Sequence, residues 1–263
     1  MCGIAGFSLS PGSDVERTLA AQSLLAAIAE RGADAVGYAY RLPGSGYATV
    51  VKQRTPASML LDRISVPAGA LQLLVHVRDY TKGHPSIAAN NHPVRHGPVV
   101  GIHNGIITND DELLERHGCS RAEPQMTVDS EAIFAVAAHS MSDARALEEL
   151  EGAMAAAWFD EREPAVLHVA RGTGRPLWVG EGRDGVFFAS TKLALEVLEH
   201  YCGTSLRKQQ VREGTLLVLR EGRIAAQTRF RTKRYVEADP LPAVRAPGER
   251  ESCLARLAAL AAA

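Results

Sequence analysis

The chain has 263 residues, 46% of them apolar and 22% charged, and a formal net charge of -1. That length allows one large domain or two small ones with a substantial core, and the near-neutral balance offers no basic field to nucleic acid or anionic lipid. No run of about 18 apolar residues suggests a membrane span and no basic-then-apolar leader is visible, so the expectation is a cytoplasmic protein with reduced thiols.

In chain order, residues 2–9 are small and apolar and predict a buried strand at the start of the chain, where termini fray unless tied into a sheet. Pro11 to Asp14 reads as a turn and helix cap, and 15–30 as a helix with Leu19, Leu24, Leu25 and Ile28 towards one side. Two strands, 38–40 and 48–53, flank a loop at Pro43-Gly44-Ser45-Gly46, and 57–64 reads as a helix. The apolar run 71–77 is a central strand. The Gly-, Asn- and Pro-bearing stretch 81–98 is a loop long enough to be functional. A strand at 99–103 ends at Asn104-Gly105, and helices follow at 110–117 and 129–139. Short strands at 155–159, 165–170, 177–180 and 186–190, a helix at 193–201, and a hairpin of 214–219 and 223–230 about Glu221-Gly222 complete the body. Arg229, Arg231 and Lys233 alternate with Phe230 and Thr232, as on a strand with one face in solvent. From 237 the chain turns Pro- and charge-rich, with a small helix at 252–263 carrying Leu254, Leu257 and Leu260 on one side. The elements place the chain in the α+β class.

Three segments carry chemistry. Removal of Met1 would leave Cys2 with a thiol and an α-amine on one residue; the amine, with a reference pKa of ~7.7–8.0, is a usable base for the nucleophilic thiol. Packing like a small hydrophobe is the competing role for Cys2. Arg78 leaves the central strand where its planar fork could clamp a carboxylate, or form a surface ion pair. Asn104-Gly105 forms a tight turn that could aim a side-chain amide and a backbone N–H at one point, or an ordinary type I′ turn. His92 and His96 have ligand spacing only on a helix, which Pro93 argues against. No cysteine pair has C-x-x-C spacing, so no metal is expected. Cys119, Cys202 and Cys253 read as inert.

Taken together, Cys2-Gly3-Ile4-Ala5-Gly6, Arg31-Gly32 with Asp34 and Gly37, His76-Val77-Arg78 with Thr81 and Gly83, Asn91-His92-Pro93, His103-Asn104-Gly105-Ile106-Ile107 with Asn109 and Leu113, and Asp129-Ser130-Glu131 resemble the class II glutamine amidotransferases, the N-terminal-nucleophile glutaminases. Weaker similarity through Ala170-Arg171, Pro176-Leu177, Gly180 and Ala189-Ser190 extends the resemblance over roughly 2–230. It implies the four-layer αββα sandwich of N-terminal-nucleophile hydrolases, with no cofactor. It makes Cys2 the nucleophile, Asn104 and Gly105 the oxyanion hole, Arg78 the holder of the glutamine α-carboxylate, Asp129 of its α-amino group, Thr81 a further substrate contact and Arg31 a support near the nucleophile. Asp79 stands where family members often have an aromatic residue, and Lys82 where His or Ala is frequent.

The expected activity is glutamine hydrolysis by a glutaminase domain at 2–236, the tail at 237–263 being too short for a synthase domain; ammonia would pass to a separate synthase subunit. Asp79 and Lys82 keep open an amide hydrolase for another γ-glutamyl substrate, and a non-catalytic regulatory module is the third reading.

Overall fold

Three apolar seams organise the molecule, and each follows from which residues of a strand point which way. A computed structural model describes residues 1–238 and 242–262. Five α-helices and thirteen strands are assigned among them: β1 (Gly3–Leu9), α1 (Arg17–Ile28), β2 (Ala35–Arg41), β3 (Thr49–Gln53), β4 (Gln72–Arg78), β5 (Val94–His96), β6 (Val99–Ile107), α2 (Asp110–Arg116), α3 (Glu131–Ser140), β7 (Gly152–Asp160), β8 (Val166–Arg171), β9 (Trp178–Glu181), β10 (Gly185–Ala189), α4 (Lys192–Cys202), β11 (Arg207–Gln210), β12 (Thr215–Arg220), β13 (Arg223–Arg229) and α5 (Pro247–Ala261). One sheet runs β11-β9-β10-β1-β4-β2-β3 and the other β13-β12-β8-β7-β6-β5, every assigned neighbour being antiparallel.

Side chains alternate faces along a strand. On β1, Ala5, Phe7 and Leu9 pack with Leu24, Leu25 and Ile28 of α1 and with Leu195 and Leu198 of α4, while Ile4 points the other way. On β6, Val99 and Ile107 face Ile133 and Phe134 of α3, and Val100 and Ile102 face back towards the first sheet. The two inward faces meet in a middle seam of Ile4, Leu74, Val100, Ile102, Ala155, Leu167, Val179 and Phe188. Helices, sheet, sheet, helices are the four layers expected. Because both faces of a central strand are covered, β1 and β4 are buried at every position and are mostly apolar.

The terminal strand is tied down on both sides, with Ala5 opposite Ala189 and Val75. α1 is capped by the Glu16 carboxylate, which accepts from the N–H groups of Thr18 and Leu19, so the Pro11–Asp14 signal lies a few residues early. α4 starts at Thr191, whose hydroxyl accepts the Ala194 N–H, and ends at left-handed Gly203.

Several expectations are corrected. Residues 57–64 form two 3-10 turns, Ala57–Met59 and Leu61–Arg63, in place of a helix. The stretch 81–98 contains a 3-10 turn, Ala88–Asn90, and β5. β6 runs straight through Asn104-Gly105, so there is no turn there of any type. β11 was not anticipated, and β13 stops at Arg229, leaving Arg231 and Lys233 outside any strand. α5 starts earlier than expected; Cys253 and Leu257 insert beside α1, and Leu260 is exposed. The expected tail includes 239–241 and 263, which lie outside the described residues. No helix among the described residues is long and apolar enough to cross a membrane.

Candidate active site

The middle seam turns polar at one end, and strand alternation explains how. Cys2 continues the inward series of Ile4, His76 and Arg78 continue that of Leu74, and Asn104 continues that of Val100 and Ile102. The Cys2 thiol and the Asn104 amide therefore project from opposite sheets into the same space. The sheets are joined there by His76, whose Nε2–H donates to the His103 carbonyl at 3.0 Å. A carbonyl only accepts, so the proton is on Nε2, and burial pushes the His76 pKa down to about 3, keeping the ring neutral.

β5 begins at Val94, opposite Gly101, so β6 beyond Gly101 has no ladder partner on that side. Its polar backbone there is used by the site: the His103 carbonyl takes His76, and the Ile107 N–H donates to Asp129 Oδ2 at 2.7 Å. Backbone groups alternate sides along an antiparallel strand, so Gly105, lying between these two, turns its N–H to the same open edge. Glycine is required at this position: its φ is +150°, and a Cβ would lie 1.8 Å from the Ala153 carbonyl oxygen. Asn104 is wholly buried with neither amide atom hydrogen-bonded. A buried unpaired amide costs about 1–3 kcal/mol, and here it leaves a donor free for a developing charge.

The Cys2 thiol donates to the Asp79 carbonyl at 3.4 Å. Burial raises its pKa above the usual value, against a lowering by that hydrogen bond and by Arg78, so the resting thiol keeps its proton and needs a base. Arg31 lies beneath, its Nε–H donating to the Cys2 carbonyl at 2.8 Å, with one terminal nitrogen buried and unpartnered.

Asp129 sits just before α3, whose N-cap is Ser130. Burial raises its pKa to about 6, with the Ile107 N–H pulling the other way. Ser130 donates its hydroxyl to His103 Nδ1 at 2.9 Å while His103 Nε2–H donates to the Ala153 carbonyl at 3.3 Å; burial holds that ring neutral, at about 3. Thr81 is exposed at the rim.

Arg78 does not present a free fork. One terminal nitrogen donates to the Asn90 carbonyl and, at 2.7 Å, to Asn91 Oδ1; the other donates to the carbonyls of Gly83 and, at 3.0 Å, Lys82. Asn90 in turn accepts the N–H groups of Thr127 and Val128 at 2.8 and 3.0 Å. The loop of 81–98 is thus organised around Arg78, and the cavity bounded by Cys2, Arg78, Thr81, His92, Gly105 and Asp129 has room for about one water, roughly 10 Å³. A roomier pocket of about 160 Å³ lies by Arg41, at the other end of β4, but that guanidinium is spent on the carbonyls of Asp160, Glu163 and Val166 and on Gln72.

Cys2, Arg78, Thr81, Gly105 and Asp129 line one cavity; Asn104 faces the same seam, and Arg31 supports it from below. Sequence reasoning assigned no role to His92, which is buried, stacked on His76 at 4.1 Å and hydrogen-bonded through neither nitrogen. The Asn91-His92-Pro93 triplet was the available signal. Asp79 and Lys82 have structural partners: Asp79 meets the Met1 ammonium and Arg245, and Lys82 meets Asp110 and Asp111.

A family model described as a glutamine amidotransferase domain matches residues 81–197. The isomerizing glutamine–fructose-6-phosphate aminotransferase of Shigella flexneri is 31% identical over 206 residues, 74% of this chain and 32% of that protein. Its namesake from Haemophilus ducreyi is 36% identical over 138 residues, 48% of this chain and 22% of that one. The chain thus spans about a third or less of the curated relatives it matches. Among solved structures, the glutamine phosphoribosylpyrophosphate amidotransferase from B. subtilis superposes with a TM-score of 0.65 at 18% identity, covering 87% of this chain and 49% of that one, which speaks to the fold. Sequence relatives, sandwich and inward-facing Cys2 agree, and together they indicate a class II, N-terminal-nucleophile glutamine amidotransferase domain.

Proposed function

We propose that this domain hydrolyses L-glutamine to glutamate and ammonia through a γ-glutamyl thioester on Cys2, after removal of Met1. The Cys2 α-amine takes the thiol proton and the thiolate attacks the side-chain amide carbon. The oxyanion is met by the Asn104 amide and the Gly105 N–H. The C–N bond breaks as the α-ammonium returns its proton to the leaving ammonia. Water then attacks the thioester, giving a proton to the amine; the C–S bond breaks, glutamate leaves and the thiol is restored. Arg78 binds the α-carboxylate by exchanging its Lys82 and Gly83 carbonyl partners when the loop opens, and Asp129 binds the α-ammonium.

The observation that carries this reading is the unpaired Asn104 amide, buried opposite the nucleophile's strand. Incubation with 6-diazo-5-oxo-L-norleucine, an electrophilic glutamine mimic, should label Cys2, and glutamine should protect it. Label elsewhere, or none on a chain shown by mass spectrometry to lack Met1, would overturn the proposal.

The γ-glutamyl alternative drew on Asp79 and Lys82; both are engaged within the fold, which removes that support. We take 2–236 as the catalytic domain and the remainder as an appended strap. The finer reading, that ammonia passes to a separate synthase subunit in the cytoplasm, draws on the relatives, which are named for transfer of the glutamine nitrogen. A pull-down that recovers an ammonia-consuming enzyme supports it; recovery of none, with full glutaminase rate in isolation, sinks it.

A further inference from the structure

The strap that follows β13 comes back to the nucleophile. The Glu237 carboxylate pairs with Arg175 at 2.9 Å. Further on, the backbone N–H groups of Arg245 and Ala246 donate to the Glu30 carbonyl at 2.9 and 2.8 Å, and Arg250 pairs with the Glu30 carboxylate at 2.6 Å. α5 then docks on α1 through Cys253 and Leu257. This anchoring sets the Arg245 guanidinium 3.3 Å from Asp79 Oδ1. The other carboxylate oxygen of Asp79 holds the N-terminal ammonium, and its backbone carbonyl accepts from the Cys2 thiol. Asp79 therefore flanks Cys2 on two sides. Removal of Met1 moves the terminal nitrogen by about one residue, at most ~3.8 Å, and Asp79 is the carboxylate whose own backbone carbonyl already holds the Cys2 thiol.

Two opposed charges then act on that nitrogen. A carboxylate beside an amine favours the ammonium form, which cannot take the thiol proton; a guanidinium on the same carboxylate weakens that pull. The other charged groups around it are Arg78 at the end of β4, Lys82 and Asp129 in the same cavity, Arg31 after α1, Asp34, which accepts the Tyr80 N–H, Glu30 under the strap, and the Cys2 thiol itself. Arg78 and Arg31 are fixed by the loop and by the Cys2 carbonyl, so the strap supplies the cation that meets Asp79 directly.

We propose that Asp79 and Arg245 are positioning residues for the catalytic amine, Asp79 seating it beside the thiol and Arg245 keeping that seat from locking it as ammonium. The proposal rests on the reading of Cys2 given above, and the strap becomes part of the active site through it.

The test uses the full chain with Met1 removed and cysteine labelled with ¹³C. The Cys2 Cα resonance follows the amine and the Cβ resonance follows the thiol, and the pH profile of kcat/KM for glutamine is measured alongside. In R245Q the amine midpoint should rise by about 0.5–1 pH unit and kcat/KM at pH 7 fall about three- to tenfold; in D79N the midpoint should fall by a similar amount. R245K should restore the wild-type midpoint. R250Q removes only the side-chain pair with Glu30, keeps the Arg245 and Ala246 N–H bonds to the Glu30 carbonyl that seat Arg245, and should leave the midpoint in place. Midpoints within about 0.2 units of wild type in both R245Q and D79N, or an equal shift in R250Q, would overturn the proposal. A wild-type chain whose amine titrates as expected but turns over no glutamine counts against the proposed reaction and not against the charge pair.

Discussion

Gly105 shows how one missing methyl serves two ends. Its φ of +150° and the Ala153 carbonyl 1.8 Å from a would-be Cβ leave no place for a side chain. Gly105→Ala should therefore cost stability, on the order of 2 kcal/mol in denaturant melts, and lower kcat by about 10²-fold through the displaced N–H. Asp129 makes a trade of a different kind. With its pKa raised to about 6, the native state binds a proton more readily than the unfolded chain, so burial of the charge costs about 3 kcal/mol at pH 7, a cost relieved as pH falls from about 6 towards 4. Asp129→Asn is expected to raise Tm at pH 7 while raising KM for glutamine. In the wild type, KM should climb as pH drops below about 6, where the carboxylate is protonated and no longer attracts the substrate ammonium. An unchanged KM between pH 7 and 5 would remove Asp129 from the substrate site.

At the scale of elements, β6 is the strand whose shape makes the site. Its partner β5 covers only three residues, and the open edge beyond is where His76, Gly105 and Asp129 gather. Asn-Gly suggested a turn because that pair most often makes one; here the β7 ladder, paired from Val99 to Ile107, holds the strand extended through it. α5 is an element with a charged, Ala-rich sequence that becomes ordered by inserting two side chains. Leu257→Ala should destabilise the chain by about 2–4 kcal/mol if the helix is part of the same cooperative unit. A melt that leaves the main transition unmoved, with only loss of helix signal, would show the strap folding on its own.

Across the whole molecule, the buried histidines set the response to acid. His76, His92, His103 and His168 are all pushed below the ordinary value, burial being the leading cause. The unfolded chain binds protons at these residues below about pH 6.5 while the native state does not, so stability falls as pH drops through that range. Each such proton contributes about 1.4 kcal/mol per pH unit, and Asp129 opposes with one. Calorimetric Tm values should therefore fall from pH 7 to pH 5, with a net uptake of about three protons on unfolding. A flat Tm over that interval would mean that these rings titrate normally.

The sequence by itself determined the strands whose both faces are covered, the terminal strand among them, because continuous small apolar runs have few other uses in a chain of this composition. It also carried the identity of Cys2, Arg78, Asn104, Gly105 and Asp129, since thiol, fork, amide and carboxylate are readable as residue types in order. Only the tertiary structure decided which of them face one another. That depends on strand parity and on where β5 begins, neither of which periodicity reports. Contacts across long separations were likewise hidden: Arg78 holds the loop through Asn90 and Asn91, and Arg245 meets Asp79. Charge pairs of this kind depend on distance in space, and a sequence records only distance along the chain.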